Sequence, residues 1–359
     1  MGEPRTEPGA THERELIAAV DLCTAGSEQL NALACGWSRH PLHRANLDGA
    51  LGRNKRWDYW AILAGDTIVS WVYADIDVLG LADVWWADLR RGESGGHAIV
   101  VPPDGGVRLP EVPATAPLQV DRDGLCLRIT DAPAGSVPGW TRVEARWTER
   151  DGRAGRLDAT IDLPVGHESL NVVIPWSDEL FNYTSKHQAR PARGELRVGD
   201  TLHAIGDDSD AWGVLDVGRG RWPARIDWNW GGGAGRGRDR DGASHVVGIQ
   251  IGGKWTGGTG FTENGVIIDG RLTKIGRELE WEYDWKAPLR PWLVRDPGGQ
   301  LELALAPRYD KHSQTGDDDF GSETHQVFGT WSGHVVDDRG RRIDVDGIQG
   351  FAEEARQRW

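Results

Sequence analysis

Ala224-Arg225-Ile226-Asp227-Trp228-Asn229-Trp230 sets indole rings two residues apart. Successive side chains of a β-strand point to opposite faces, so this spacing sends Trp228 and Trp230 to the same side of a sheet. The same beat puts Trp281, Tyr283 and Trp285 on one face and Glu282 and Asp284 on the other. Val84-Trp85-Trp86-Ala87-Asp88 does the converse: its adjacent indoles leave on opposite faces, so at least one meets a second layer or a ligand. The chain carries 19 Trp against 5 Tyr and 5 Phe. A face tiled with indoles fills a barrel or lines an aromatic-walled cavity.

Working outward from this stretch, short β-rich runs recur from Tyr59 onward, at Tyr59 to Leu63, Thr67 to Ile76, Val84 to Leu89, Leu125 to Ile129, Val143 to Trp147, Leu157 to Leu163 and Leu170 to Trp176. Gly, Asp and Pro punctuation such as Ala64-Gly65-Asp66 divides them, the pattern of an antiparallel meander. A second series runs from Leu202 to Val345, broken by Asp269-Gly270 and Pro297-Gly298-Gly299. The expectation is an all-β protein of two consecutive antiparallel units, with the seam near Trp176 to Pro191. Its divisions are 1–35 as tail and helix, 36–180 as the first unit and 181–359 as the second. Leu16, Ile17, Val20, Leu30 and Leu33 suggest a short N-terminal helix within Glu13 to Ala34, and Glu353 to Trp359 a C-terminal helical tail. Gly231 to Gly237 reads as a mobile loop, because it precedes no helix that would make it a phosphate cradle.

Composition excludes several classes. A formal net charge of -14, with 55 acidic against 41 basic residues, argues against nucleic acid as a partner. Cys23, Cys35 and Cys126 are an odd count without metal-type spacing, which reads as free thiols in a reducing compartment. Met1 to His12 lacks an apolar signal core and no run is long enough to span a bilayer, so the expected location is cytoplasmic, without stable membrane insertion. No zinc or iron cluster and no nucleophile elbow is visible, and no cofactor is expected. The acidic runs Asp207-Asp208-Ser209-Asp210 and Asp317-Asp318-Asp319 lack the spacing of a calcium loop and read as solvated. The oligomeric state is left open.

Chemistry-bearing residues concentrate between Tyr183 and Trp230 and in a few later motifs. A carboxyl among apolar rings keeps its proton near neutral pH, and can donate it. Asp216 or Glu263 is therefore the preferred acid, with Arg219 and His325 as orienting partners and Trp228 and Trp230 as π-walls able to face a cation. Asp216 and Arg219 could equally form a buried ion pair between strands. Glu263 with Asn264 could hold a substrate oxygen or simply shape a turn before Gly265. Lys186 and His187 lie in a polar connecting stretch where solvated charge is the default; turned inward, Lys186 would bind an anionic head group. Tyr183, Trp222 and Trp331 complete the expected substrate-binding set.

In chain order, Gly218-Arg219-Gly220-Arg221-Trp222-Pro223, Glu263-Asn264-Gly265, Asp269-Gly270 and His325-Gln326-Val327-Phe328-Gly329 resemble the family catalogued as DUF2804, from about Gly36 to the C-terminus. The resemblance implies kinship with the carotenoid hydratase, AttH and tocopherol cyclase group, and hence two lipocalin-like β-barrels or barrel-like sandwiches. It supplies no catalytic residues. It favours a cofactor-independent enzyme acting on a lipophilic unsaturated, isoprenoid- or polyene-like molecule by acid-initiated hydration, isomerisation or cyclisation. Two alternatives stand beside it: a non-catalytic carrier of a hydrophobic ligand, and a carbohydrate-active or carbohydrate-binding protein, which would present its indoles in a shallow groove.

Overall fold

The computed structural model describes residues 11, 13–103, 105–133, 135–206, 210–316 and 321–358. Its strands form two large antiparallel sheets, the all-β arrangement that the two-residue beat requires. In spatial order the first runs Glu93–Val101, Gly80–Asp88, Thr67–Asp75, Asn54–Ala64, Trp212–Arg221, Phe181–Val198, Ala154–Leu163, Gly139–Thr148, Leu125–Asp131 and Leu118–Arg122. Leu170–Pro175 and Thr201–Ile205 pair with the two halves of Phe181–Val198. The second runs Arg271–Lys274, Gly265–Ile268, Ser244–Gly253, Arg225–Asp239, Arg342–Arg358, Gly321–Val336, Leu301–Gly316, Trp292–Arg295 and Glu280–Glu282.

The chain crosses from the first sheet to the second at 222–224, so a division at 180/181 does not follow sheet membership. The turn signals near Trp176 instead close a hairpin between Leu170–Pro175 and Phe181–Val198, where Trp176 N donates to Leu180 O.

Neither expected helix forms. The segment after Glu13 has no α-helix: it is irregular and extended, with a turn at Ala25-Gly26 and a 3₁₀ turn at Ala32–Ala34. Its amides bond across the chain, Leu16 N to Trp37 O and Leu22 N to Arg44 O, while Leu22 packs with Phe181 and Tyr183. At the other end, Arg342–Arg358 is a strand in the middle of the second sheet. Partners on both sides supply a complete ladder there, which outweighs the helix propensity of Glu353-Glu354-Ala355. Trp359, Met1 to Ala10, His12, Asp207 to Ser209 and Asp317 to Phe320 lie outside the described residues.

The glycine run is a third correction. Gly231 to Gly237 belongs to the strand Arg225–Asp239, and Gly231 to Gly235 are buried. A Cβ on Gly232 would lie 2.6 Å from Gln188 Nε2 and 2.7 Å from Phe351 Cζ. The intruder is a bulge of the strand Phe181–Val198, whose register shifts between His187 and Arg190 and whose Ala189 takes φ 58°. This bulge pushes Gln188 and Ala189 toward the second sheet. Gln188 Nε2 donates to Gln250 Oε1 at 3.2 Å, and Gly233 N donates to Gln188 Oε1 at 3.3 Å.

The central strands of the first sheet are buried on both faces. From Asn54–Ala64, Trp60 and Ile62 enter the first core, while Tyr59, Ala61 and Leu63 meet the second sheet. Trp86 and Trp85 divide as adjacent indoles must: Trp86 joins the first core, and Trp85 stacks on Phe328 of the second sheet at 5.6 Å. A separate core, including Trp292 and Trp331, fills the second sheet.

The first sheet curls until its outer strands meet, and side chains fasten them. The ring nitrogens of His97 lie 3.1 Å from Thr148 O and 2.8 Å from Asp123 O. Buried Glu149 accepts Trp86 Nε1 at 2.6 Å, Trp147 Nε1 at 2.7 Å and Gly96 N at 3.0 Å. Replacing Glu149 with alanine strands two buried indole N–H groups and one amide. Glu149→Ala is expected to lower stability by about 3–5 kcal/mol, measured by urea denaturation, and Glu149→Gln by less because one amide oxygen still accepts from both indoles.

Candidate active site

Where the outer faces of the two sheets meet, the strand Phe181–Val198 turns Thr184 and Lys186 toward the second sheet. Lys186 is buried. Its Nζ lies 2.9 Å from Asp216 Oδ1, on the neighbouring strand, and 3.3 Å from Glu263 Oε2, in the connection that leads into Gly265–Ile268 of the opposite sheet. The ammonium also sits 4.5 Å above the ring of Trp230, a cation–π contact. Burial disfavours the Lys186 charge, but the two carboxylates outweigh it and hold the group above its ordinary value. Asp216 further accepts Thr184 Oγ1 at 3.1 Å and Trp57 Nε1 at 3.3 Å.

Two carboxyls here share one design. Trp255 Nε1 donates to Glu263 Oε1 at 2.5 Å, and Trp228 Nε1 to Glu353 Oε1 at 2.7 Å. Burial pushes Glu263 above its ordinary value, with Lys186 pulling back. Burial raises Glu353 from 4.5 to about 7, against the pull of the Trp228 hydrogen bond and the Lys186 and Lys311 charges. A carboxyl in that range is half protonated at neutral pH and can act as a general acid. Gly252 makes room for Glu263, since a Cβ there would lie 2.0 Å from Glu263 Oε1.

Indoles wall this polar centre. Trp222 stacks on Trp255 at 5.6 Å and 6° and meets Trp57, Trp176 and Trp228 edge-on at 5.3, 5.3 and 5.6 Å. Trp57, Trp176, Trp222 and Trp228 are partly exposed, while Trp230 and Trp255 are buried. Trp222 Nε1 is buried without an acceptor among the described residues. Further along the seam, Tyr59 meets Trp230 edge-on and its hydroxyl donates to Gln326 Oε1 at 3.3 Å. Beyond it Lys311 lies 4.5 Å over the Trp85 ring, beside a cleft of about 590 Å³ lined also by Asp83, Ser94 and His97.

The seam thus gathers Asp216, Glu263, Lys186, Trp222, Trp228 and Trp230 from the sequence-derived set. Lys186 is not in a solvated connection; it is the centre of the cluster. The other five lie elsewhere. Arg219, three residues from Asp216, leaves on the opposite face and pairs with Asp58 at 2.7 Å, so the expected Asp216–Arg219 pair does not form. Tyr183 also faces away, bonding Asn171 Oδ1 at 3.2 Å under the N-terminal segment. Asn264 is engaged by backbone, accepting Gly252 N at 2.7 Å and donating to Arg277 O at 2.9 Å. Trp331 fills the second core and donates to Gly232 O at 3.0 Å. His325 belongs to another cluster, with Asp310 and His312.

A family model described as a domain of unknown function, DUF2804, matches residues 13–359. The chain belongs to the DUF2804 family. No curated protein sequence matches this DUF2804 member. Solved structures similar to it include kievitone hydratase from Nectria haematococca, at 12% identity and TM-score 0.47 over 98% of each chain. CghA is similar at 10% identity and TM-score 0.45, over 95% of this chain and 97% of that one. A protein assigned as AttH from Nitrosomonas europaea gives 11% identity and TM-score 0.39, over 84% of this chain and 92% of that one. Among the described residues of this DUF2804 chain, no helix is long and apolar enough to cross a membrane.

Glu353, Trp255, Trp57 and Tyr59 were not legible as site residues from sequence. Trp57 and Tyr59 do show the alternation that announces Trp228 and Trp230. Glu353 stands in a segment whose local pattern is helical, and only its pairing with Trp230 puts it here.

The raised carboxyl of Glu353 has a stability consequence. The folded state holds this proton more tightly than the unfolded chain, so the contribution of Glu353 to stability falls as pH rises from 4.5 to about 7, and stays low above that. Glu353→Gln keeps an acceptor for Trp228 and removes the titration. The variant is expected to exceed the parent in stability at pH 8 by on the order of 3 kcal/mol and to match it near pH 4, measured by denaturant unfolding across pH.

Proposed function

We propose that this protein is a cofactor-independent acid–base enzyme acting on a lipophilic unsaturated small molecule at the indole-walled seam between its sheets. The observation that carries the reading is Glu353: a buried carboxyl at about 7, anchored by one indole N–H and electrostatically coupled to the Lys186–Asp216 pair. Glu353 donates a proton to a carbon–carbon double bond. The partly exposed faces of Trp57, Trp222 and Trp228 stand against the cation that follows. Asp216, ion-paired with Lys186 at 2.9 Å, receives a proton from an attacking water or from a neighbouring carbon, giving hydration or isomerisation. Glu263 holds Lys186 from the other side of the seam. Cyclisation belongs to the same scheme when a second double bond of the substrate intercepts the cation.

Two readings compete with this one. A carrier would use the same walls without proton transfer, and a sugar-binding protein would present open indole platforms. The contact of Trp222 with four other indoles supports an apolar guest over a sugar.

The test uses a panel of terpenoid and prenylated-phenol alkenes incubated with the protein in D₂O, with products read by mass spectrometry. Carbon-bound deuterium is expected with the parent and lost, by about 10²-fold or more, with Glu353→Gln, while quenching of Trp fluorescence by the same alkene persists. Retained quenching with no deuterium in the parent would mark a carrier. Because Glu353 must be protonated to act, turnover is expected to fall as pH rises through about 7.

A further inference from the structure

His312 and His325 stand directly opposite each other on the hairpin formed by Leu301–Gly316 and Gly321–Val336. Side chains repeat every two residues on a strand face, so Asp310 and Glu323 lie on the same side as the two histidines. Donor atoms of His312, Glu323 and His325 all fall within 4.8 Å of one another. His312 Nε2 is 3.1 Å from Glu323 Oε1, and His325 Nδ1 is 2.8 Å from Asp310 Oδ2. The imidazoles lie parallel, with centroids 4.2 Å apart, and Trp285 packs edge-on against His325 at 4.5 Å.

We propose that this hairpin face binds a divalent transition-metal ion, with His312, His325 and Glu323 as ligands and Asp310 orienting His325. Two imidazoles and a carboxylate are a donor set that Zn²⁺ takes in three-ligand sites, with a fourth position open to water or a small ligand. The same nitrogen and oxygen set suits Cu²⁺, Ni²⁺ and Co²⁺. The bond to Asp310 engages Nδ1 of His325 and leaves Nε2 for the ion, as carboxylate partners of metal-bound histidines do. Asp310 and Glu323 together offset the dication. Arg356 stands opposite Glu323 on the same face, where it is held by Glu354 at 2.8 Å and lies 3.7 Å over the Trp285 ring. Parallel rings do not aim their lone pairs at one point, so one imidazole must rotate. His312, whose side chain is 43% exposed, has room to do so. This site is separate from the Lys186 seam and does not rest on the function proposed there.

The experiment uses the full chain freed of metal by a chelator, titrated with ZnCl₂ by calorimetry and with CoCl₂ by absorption spectroscopy. One equivalent of Zn²⁺ is expected to bind, with a Co²⁺ d–d spectrum of nitrogen and oxygen ligation. His312→Gln, at the exposed position, and His325→Gln should abolish this uptake, and Asp310→Asn should weaken it about 10–100-fold, with far-UV circular dichroism unchanged for the His312 variant. No uptake by the parent overturns the proposal, as does uptake that persists undiminished in folded His312→Gln.

Discussion

An ammonium ion buried between two sheets must find its counter-charges inside the protein, and Lys186 finds one on each side of the seam. Asp216 comes from the strand beside it and Glu263 from across the seam. Desolvating one charge without partners costs several kcal/mol, so the three groups are stable only when the sheets are docked in this register. Docking in turn requires a glycine strand that yields to the Gln188–Ala189 bulge, and Gly252 beside Glu263. The polar cluster and the glycines that leave room for it are therefore one constraint seen from two sides.

The tryptophans divide according to that constraint. Trp60, Trp71 and Trp86 are packing for the first core, as Trp292 and Trp331 are for the second. Trp57, Trp176, Trp222, Trp228, Trp230 and Trp255 gather at the seam, where indole N–H groups from Trp57, Trp228 and Trp255 each end on a carboxylate. Indole suits this place for two reasons. It spans a wide gap between layers, and it brings a hydrogen-bond donor on an otherwise apolar surface.

Alternation carried most of what was legible in the sequence. It placed Trp228 and Trp230 on one face and split Trp85 from Trp86, while nearness to aromatic motifs marked Asp216 and Glu263 as carboxyls in apolar company. It failed where a local pattern was overridden by distant pairing: Glu353-Glu354 looks helical but is a central strand, and Gly231 to Gly237 looks like a loop but is strand, buried from Gly231 to Gly235. The same rule separates Asp216 from Arg219, since a spacing of three on a strand implies opposite faces, and it is Asp58 that Arg219 pairs with. The grouping of His312 with His325 is invisible along the chain, because the two are neighbours only through hairpin register.

The fastening of the first sheet by His97 and Glu149 bears on how the molecule behaves in company. A barrel closed by a full ladder has no edge, whereas this sheet ends in Glu93–Val101 on one side and Leu118–Arg122 on the other. Open strand edges recruit other chains by continuing the ladder. Here His97 reaches the carbonyls of Thr148 and Asp123, and Glu149 takes the amide of Gly96, so both borders are tied to each other by side chains. The same few contacts that shape the sheet also shield it from self-association, and a lesion at either residue would surface first as aggregation at high concentration.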